Sequence, residues 1–150
     1  KYTRGIKMIG IVVITHGPLC EGLIESVHML LGRPKQLVGV PLLEGEGIEE
    51  LKAKVMEAIK KVNDGSGVLI LGDLFGGSTL NVSSLIAVER DDIYIVSGIN
   101  VPMLLTVLLE REDYDSPKDL AKRAISAGKE GIIDVNERII SKLKKVKEER

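Results

Sequence analysis

The chain has 150 residues, a length that fits one domain with its own hydrophobic core. Its formal net charge of −1 lacks the positive excess that is typical of nucleic-acid-binding proteins. Its single cysteine excludes an internal disulfide and fits a reducing compartment. No apolar run reaches the roughly 20 residues of a membrane span, and the basic start lacks the apolar segment and cleavage site of a signal peptide. We expect Met8 to be the native start and residues 1–7 to be an extension.

Apolar runs rich in isoleucine and valine alternate with segments of helical periodicity through most of the chain. This alternation predicts an α/β domain with a doubly wound, mostly parallel sheet and helices on both faces. We expect the strand order 2-1-3-4, which the alternation by itself does not fix. The predicted strands are residues 9–15, 36–42, 67–73 and 92–98. The predicted helices are residues 19–31, 48–62, 80–90 and 101–111.

The last third of the chain follows a different pattern. A polar helix is predicted at residues 116–128, a short strand at 131–135 ("GIIDV") and an amphipathic helix at 136–150 that frays at its end. The helix at residues 101–111 is apolar around its whole circumference, whereas a surface helix keeps a polar face. It is therefore either deeply packed or part of a subunit interface.

Two residues whose side chains can take part in a reaction lie at the ends of predicted strands. His16 ends the first strand and Asp73 ends the third, and strands 1 and 3 are neighbours in the order 2-1-3-4. Ligands collect at the carboxyl ends of strands where the strand order reverses, so the two side chains are expected to face each other there. A carboxylate beside an imidazole fixes its tautomer and leaves the other nitrogen free, which suits a general base, a metal ligand or a nucleophile.

The segment after Asp73 contains Gly76, Gly77 and Ser78 just before a predicted helix. Backbone N–H groups at a helix start bind anions, and Ser78 or Thr79 is expected to cap the helix and to donate to a phosphoryl oxygen. With no second base and no metal cluster, the simplest chemistry is a histidine that itself accepts a phosphoryl group.

Other interpretations of these residues remain open. A histidine at a strand end is more often structural, and an aspartate before glycines is usually part of a turn. Cys20 is expected to be a small buried thiol, and with His28 it lacks a third metal ligand. A hydrolase using Ser78 would lack the Gly-x-Ser-x-Gly elbow. Asn100 is expected either to order the segment after the fourth strand or to serve in a turn.

The motifs "IGIVVITHG", "GDLFGGSTLNVSSLI" and "GINVPMLL" resemble the IIA component of the mannose-family phosphoenolpyruvate-dependent sugar phosphotransferase system. The resemblance spans residues 8–139. The histidine that this family phosphorylates corresponds to His16, its partner aspartate to Asp73, and the serine after the two glycines to Ser78. Two positions depart from the family pattern, because Thr79 stands where proline is frequent and Phe75 where tryptophan is frequent.

The resemblance implies a cytoplasmic phosphotransferase that works through a phosphohistidine and needs no cofactor. It implies that phospho-HPr phosphorylates His16 on the nitrogen turned away from Asp73, and that a IIB component receives the phosphate and passes it to sugar carried by the membrane components IIC and IID. It also implies a homodimer in which residues 131–135 pair antiparallel with the partner's sheet. The whole chain, residues 1–150, is then one IIA domain with a helical tail at 140–150.

Two alternatives share the fold and the histidine site. One is a regulatory module whose phosphorylation state is read by a partner, and the other is the phosphoryl donor of dihydroxyacetone kinase. Turnover with a cognate IIB component separates the carrier from the regulatory module, and the "GDLFGGST" segment fits the sugar-transport component better than the dihydroxyacetone-kinase donor.

Overall fold

A computed structural model describes residues 6–150, so the first five residues of the predicted extension at 1–7 lie outside the described part. Four parallel strands form one sheet in the order β2-β1-β3-β4, which confirms the predicted α/β architecture and strand order. The strands are β1 (Gly10–His16), β2 (Leu37–Leu42), β3 (Val68–Gly72) and β4 (Ile93–Ser97).

Helices cover both faces of the sheet, as the sequence predicts. One hydrophobic cluster joins the sheet to α1, α4 and α5, and a second joins the opposite face to α2 and α3. The helices are α1 (Leu19–Leu31), α2 (Ile48–Val62), α3 (Ser78–Val88), α4 (Val101–Glu110), α5 (Pro117–Glu130) and α6 (Ser141–Glu148).

Strand β1 lies at the centre of the molecule and is buried on both faces. Ile11 and Val13 belong to the cluster under α1, whereas Val12 and Ile14 belong to the cluster under α2 and α3. Side chains alternate across a strand, so a strand covered on both faces is apolar at most positions. This is the reason that the run of isoleucine and valine predicts a central strand.

The buried side chain of Arg111 ties the amino-terminal ends of β1 and β2 together. Arg111 follows α4, and its guanidinium donates to the backbone carbonyl oxygens of Ile9, Lys35 and Gln36. Burial lowers the pKa of Arg111, although the nearby carboxylates of Glu112 and Asp64 oppose that shift. Arg111 thus braces the edge of the sheet opposite to the predicted site.

Helix α4 is deeply packed on one face only. Met103, Leu104 and Val107 are buried, and Leu105 packs against the same core while Leu109 is exposed. Burial of one face accounts for part of the apolar composition. The subunit-interface interpretation of this helix stays a prediction, because a single chain is described.

The predicted strand at residues 131–135 is not formed in the single chain. The segment leaves α5 in a turn at Gly131, has no regular secondary structure at residues 132–134 and pairs with no strand among the described residues. Its apolar side chains at Ile132, Ile133 and Val135 are largely exposed. A strand needs a neighbour to bond its backbone, and this segment has none within its own chain. The exchange with a second copy therefore stays a prediction.

The tail is helical but begins differently from the prediction. A single π turn at Asn136–Ile140 leads into α6, which continues to Glu148, and the fraying of its end stays a prediction. All residues from 136 to 150 are exposed. Within residues 6–150, no helix is both long enough and apolar enough to cross a membrane.

Candidate active site

His16 is the point at which the central strand leaves the core. The six preceding residues of β1 are buried, whereas the side chain of His16 is 43% exposed. His16 follows the alternation of Val12 and Ile14, so its side chain lies on the face of the sheet that carries α3. The strand therefore carries an imidazole to the surface at the carboxyl edge of the sheet.

Asp73 meets His16 across the gap between β1 and β3, as the sequence predicts. One carboxylate oxygen, Asp73 Oδ2, lies 2.9 Å from His16 Nδ1 and accepts the His16 backbone N–H at 2.8 Å. The other oxygen, Oδ1, accepts the backbone N–H of Leu74 at 2.9 Å. The carboxylate thus fixes both the backbone and the ring of the histidine.

These contacts also decide the protonation state of the pair. Burial by itself would raise the pKa of Asp73, but hydrogen bonds from the His16 backbone, the His16 ring and Leu74 outweigh burial and lower that pKa below its ordinary value. Asp73 is therefore ionised at neutral pH and can only accept hydrogen bonds. In the neutral ring the proton accordingly resides on Nδ1, and Nε2 keeps a free lone pair.

The backbone of Gly77 lies directly against the imidazole. A Cβ atom built on Gly77 would lie 2.7 Å from His16 Cε1 and 3.1 Å from Nε2, closer than carbon atoms normally approach. Gly77 is also the N-cap residue of α3. Only glycine lets the start of this helix approach the free nitrogen so closely.

The loop that precedes α3 differs from the prediction in its capping. Gly77, and not Ser78 or Thr79, is the N-cap, so the cap residue has no side chain to bond the first N–H groups of the helix. Gly76 has φ +87°, a backbone conformation that glycine adopts readily. The exposed Ser78 hydroxyl lies at the first position of the helix. Thr79 is buried, and its hydroxyl has no hydrogen-bond partner among the described residues.

Exposed apolar side chains stand on the three loops around His16. Leu19 begins α1, Leu43 follows β2, and Leu74 and Phe75 follow Asp73; each is at least half exposed. Five surface cavities of about 190–500 Å³ lie elsewhere on the described part of the chain, and neither His16 nor Asp73 lines any of them. The imidazole therefore stands on an open surface with an apolar rim.

The remaining sequence candidates lie outside this pair. Cys20 is a buried thiol, as predicted, and His28 is mostly buried in α1 with Nδ1 3.4 Å from a Glu25 carboxylate oxygen. Asn100 is the N-cap of α4, where its Oδ1 accepts the Met103 N–H at 3.0 Å and its Nδ2 donates to the Gly128 carbonyl at 2.9 Å. Within residues 6–150, no group of three or more His, Cys, Asp and Glu side chains is arranged to hold a metal ion.

Sequence reasoning missed two residues that shape the site. Thr15, the fully buried neighbour of His16, accepts the Cys20 N–H at 2.8 Å and donates to the Gly17 carbonyl at 3.1 Å. Glu46 accepts hydrogen bonds from the Leu43 N–H and from Lys54, which fixes the loop after β2. In the sequence, the signal for Thr15 is a polar residue at the end of an otherwise apolar run. Glu46 carries no such signal, because it resembles an ordinary surface residue.

The fold is an open parallel α/β sheet, and the histidine–aspartate pair lies where the strand order reverses, between β1 and β3. These features define a class of protein with an oriented imidazole at its surface, an arrangement that suits a nucleophile. The sequence model of one family, described as "PTS system fructose IIA component", matches residues 10–124. The chain belongs to this family of phosphotransferase-system IIA components.

Individual relatives agree with this assignment. The chain is 36% identical over 124 residues to the mannose-specific EIIAB component of Escherichia coli, covering 83% of this chain but only 38% of that protein. It is 36% identical over 105 residues to the fructose-specific EIIA component of Bacillus subtilis, covering 70% of this chain and 72% of that one. A crystal structure of component EIIA from Streptococcus agalactiae superposes with a TM-score of 0.80 at 30% identity, over 87% of this chain and 99% of that one.

Proposed function

We propose that this chain is a phosphoryl carrier of the sugar phosphotransferase system, which accepts phosphate from phospho-HPr on His16 and passes it to a IIB component. The observation that carries the proposal is the contact of 2.9 Å between His16 Nδ1 and the ionised Asp73, which leaves Nε2 as the nucleophile. Family membership supplies the donor and the acceptor.

The transfer step follows from the geometry of the pair. The lone pair of His16 Nε2 forms a bond to phosphorus while the bond between phosphorus and the donor's imidazole nitrogen breaks, and that electron pair stays with the donor. The ring of His16 becomes positively charged in this step. Asp73 stabilises the charge through its hydrogen bond to Nδ1, a type of contact worth about 1.5–3 kcal/mol.

The start of α3 supplies a place for the transferred group. Nε2 lies beside Gly77, so phosphoryl oxygens on Nε2 are within reach of the N–H groups in the first helical turn and of the Ser78 hydroxyl. Helix N-termini favour anions because unpaired N–H groups and the helix dipole point at them. Gly76, Gly77 and Ser78 are thus the proposed phosphate-binding residues.

The surface around His16 suits a protein donor. A small-molecule substrate is normally enclosed in a cleft, whereas His16 stands on an open surface with Leu19, Leu43, Leu74 and Phe75 around it. Exposed apolar patches of this kind mark protein contacts. HPr and the IIB component are the proposed partners in the cytoplasm, with the membrane components IIC and IID acting later in the transfer.

The homodimer is part of the proposal. Strand β4 has one neighbour, β3, and its outer edge is unpaired in the single chain. Ile132, Ile133 and Val135 are apolar and exposed, as expected for a segment that bonds an edge strand of a second copy. In the single chain Gly131 and Val135 have helical backbone angles, so the proposed pairing requires the segment to become extended in the dimer. Sedimentation of the wild type and of Ile132→Lys tests this, because a charge in the paired strand weakens the dimer, and a wild-type monomer contradicts it.

The test of the carrier function uses purified enzyme I, HPr and phosphoenolpyruvate, with intact mass and phosphohistidine mapping as readouts. We expect one acid-labile phosphate on His16 in the wild type and none in His16→Ala. The chain offers a matched control, because His28 is its other histidine and His28→Ala should be labelled normally.

Three results contradict the proposal. A folded wild type that takes no phosphate, or a phosphate that maps to His28, removes His16 from the role of carrier. Labelled protein that does not pass its phosphate to a cognate IIB component supports a regulatory module instead.

A further inference from the structure

We infer that Thr15 is a positioning residue for phosphoryl transfer, because its buried hydroxyl fixes the turn that carries His16. The inference rests on the proposed function, since it names a further residue on which the proposed reaction of His16 depends. Thr15 does not touch the imidazole or the reacting atoms and acts through the backbone on both sides of His16.

The sequence of the turn explains why this hydroxyl is needed. Two residues, Gly17 and Pro18, join β1 to α1. The N-cap of α1 is Pro18, whose side chain has no acceptor for the helix N–H groups. Because Cys20 is buried, its N–H group needs an acceptor from elsewhere.

Thr15 provides that acceptor from the strand that precedes the turn. Its Oγ1 accepts the Cys20 N–H at 2.8 Å and donates to the Gly17 carbonyl at 3.1 Å. Both hydrogen-bonding capacities of one hydroxyl are thus used within a single turn, and the residue is fully buried. The hydroxyl replaces the missing cap of α1 and fixes the Gly17–Pro18 peptide, one residue after His16.

The position of His16 depends on this closure. Asp73 Oδ2 accepts both the backbone N–H and the ring Nδ1 of His16, so the ring is held correctly only while the His16 backbone stays in place. On the other side, the Gly17 N–H donates to the Leu42 carbonyl at 2.8 Å. Without the Thr15 hydroxyl, Gly17 keeps this bond, but the Gly17 carbonyl and the Cys20 N–H lose their hydrogen bonds to position 15.

The experiment compares Thr15→Val, which keeps the shape of the side chain, with Thr15→Ser, which keeps the hydroxyl. We expect Thr15→Val to slow phosphoryl transfer to His16 by up to about 100-fold, since displacements of about 1 Å have this effect. The KM for phospho-HPr should stay unchanged, because the exposed apolar residues around His16 are untouched. Thr15→Ser should restore the rate.

Nitrogen NMR of the His16 ring reports its tautomer, which would not change if Thr15 only stabilised the fold. In the wild type we expect a protonated Nδ1 and an unprotonated Nε2, and in folded Thr15→Val a mixture of both tautomers. If Thr15→Val does not fold, Thr15→Ala and Thr15→Ser form the comparison in its place.

The outcomes separate this inference from the proposed function. Wild-type rate and ring signals in folded Thr15→Val overturn the role of Thr15, and so does a Thr15→Ser variant as slow as Thr15→Val. A reduced rate with unchanged ring signals also overturns it. If the wild type itself takes no phosphate, the proposed function fails, and the ring signals of the two variants still decide whether Thr15 positions His16.

Discussion

Adding one methyl group at Gly77 tests whether the close approach of α3 to His16 matters for transfer. In Gly77→Ala the new Cβ would lie 2.7 Å from His16 Cε1. Carbon atoms pack at about 3.5–4.0 Å, so the ring must move away by about 1 Å. A displacement of this size is expected to slow transfer by up to about 100-fold, or roughly 2.7 kcal/mol in activation free energy.

Gly47 provides a matched control for this substitution. It is the N-cap of α2 with φ −75° and ψ 163°, and Gly77 is the N-cap of α3 with φ −83° and ψ 163°. A Cβ on Gly47 meets nothing within 4 Å. Gly47→Ala therefore reproduces the backbone and capping effects of the change without the contact to the ring.

The assay is the initial rate of phosphorylation by phospho-HPr, measured for both variants and the wild type. We expect Gly47→Ala to match the wild type and Gly77→Ala to be slow, with its fold intact by circular dichroism. If Gly77→Ala reacts as fast as Gly47→Ala, the ring either does not lie against the helix or does not need that position, and the argument from close approach is wrong.

Three further changes test the pair and its support. Asp73→Asn should slow transfer roughly 10- to 100-fold, because a neutral amide does not compensate the positive charge on the ring. Unchanged rates in stopped-flow assays would mean that Asp73 has only a structural role in its turn. Because the pKa of Asp73 is lowered in the folded state, its contribution to stability is complete above the ordinary value of 3.8 and is lost as the pH falls through the folded value. Below that pH, the free energy of unfolding should therefore fall less steeply with decreasing pH in Asp73→Asn than in the wild type. Identical slopes in the two proteins would contradict the lowered pKa of Asp73. Arg111→Met should lower the free energy of unfolding by about 1–3 kcal/mol, because it leaves buried carbonyl groups unpaired, and equal stability in urea would show that the brace is dispensable.

The sheet was predictable because burial constrains composition. A strand covered on both faces has few polar positions, so β1 and β3 appear in the sequence as nearly continuous apolar runs, with Thr15 the buried polar exception in β1, and the helices between them show a period of 3.6. The segment at 131–135 has the same apolar composition but forms no strand in the single chain. Its composition favours a strand, whereas strand formation also requires a paired neighbour, and within residues 6–150 the segment is paired with no strand.

The pairing of His16 with Asp73 was also predictable, because both residues follow strands that the strand order makes neighbours. The local sequence could not show that the two meet through one oxygen atom, or that Gly77 touches the ring. These contacts join residues that are 57 or more positions apart.

The sequence by itself therefore determined the alternation of strands and helices and the two candidate residues at strand ends, because these depend on hydrophobic period and on where the apolar runs stop. The strand order 2-1-3-4 was an expectation that the tertiary structure confirmed. Only the tertiary structure decided the tautomer of His16, the use of Thr15 as a substitute cap and the need for glycine at position 77. Each of these depends on distances between elements that packing sets to within an ångström, and such distances leave no periodic signal in the chain.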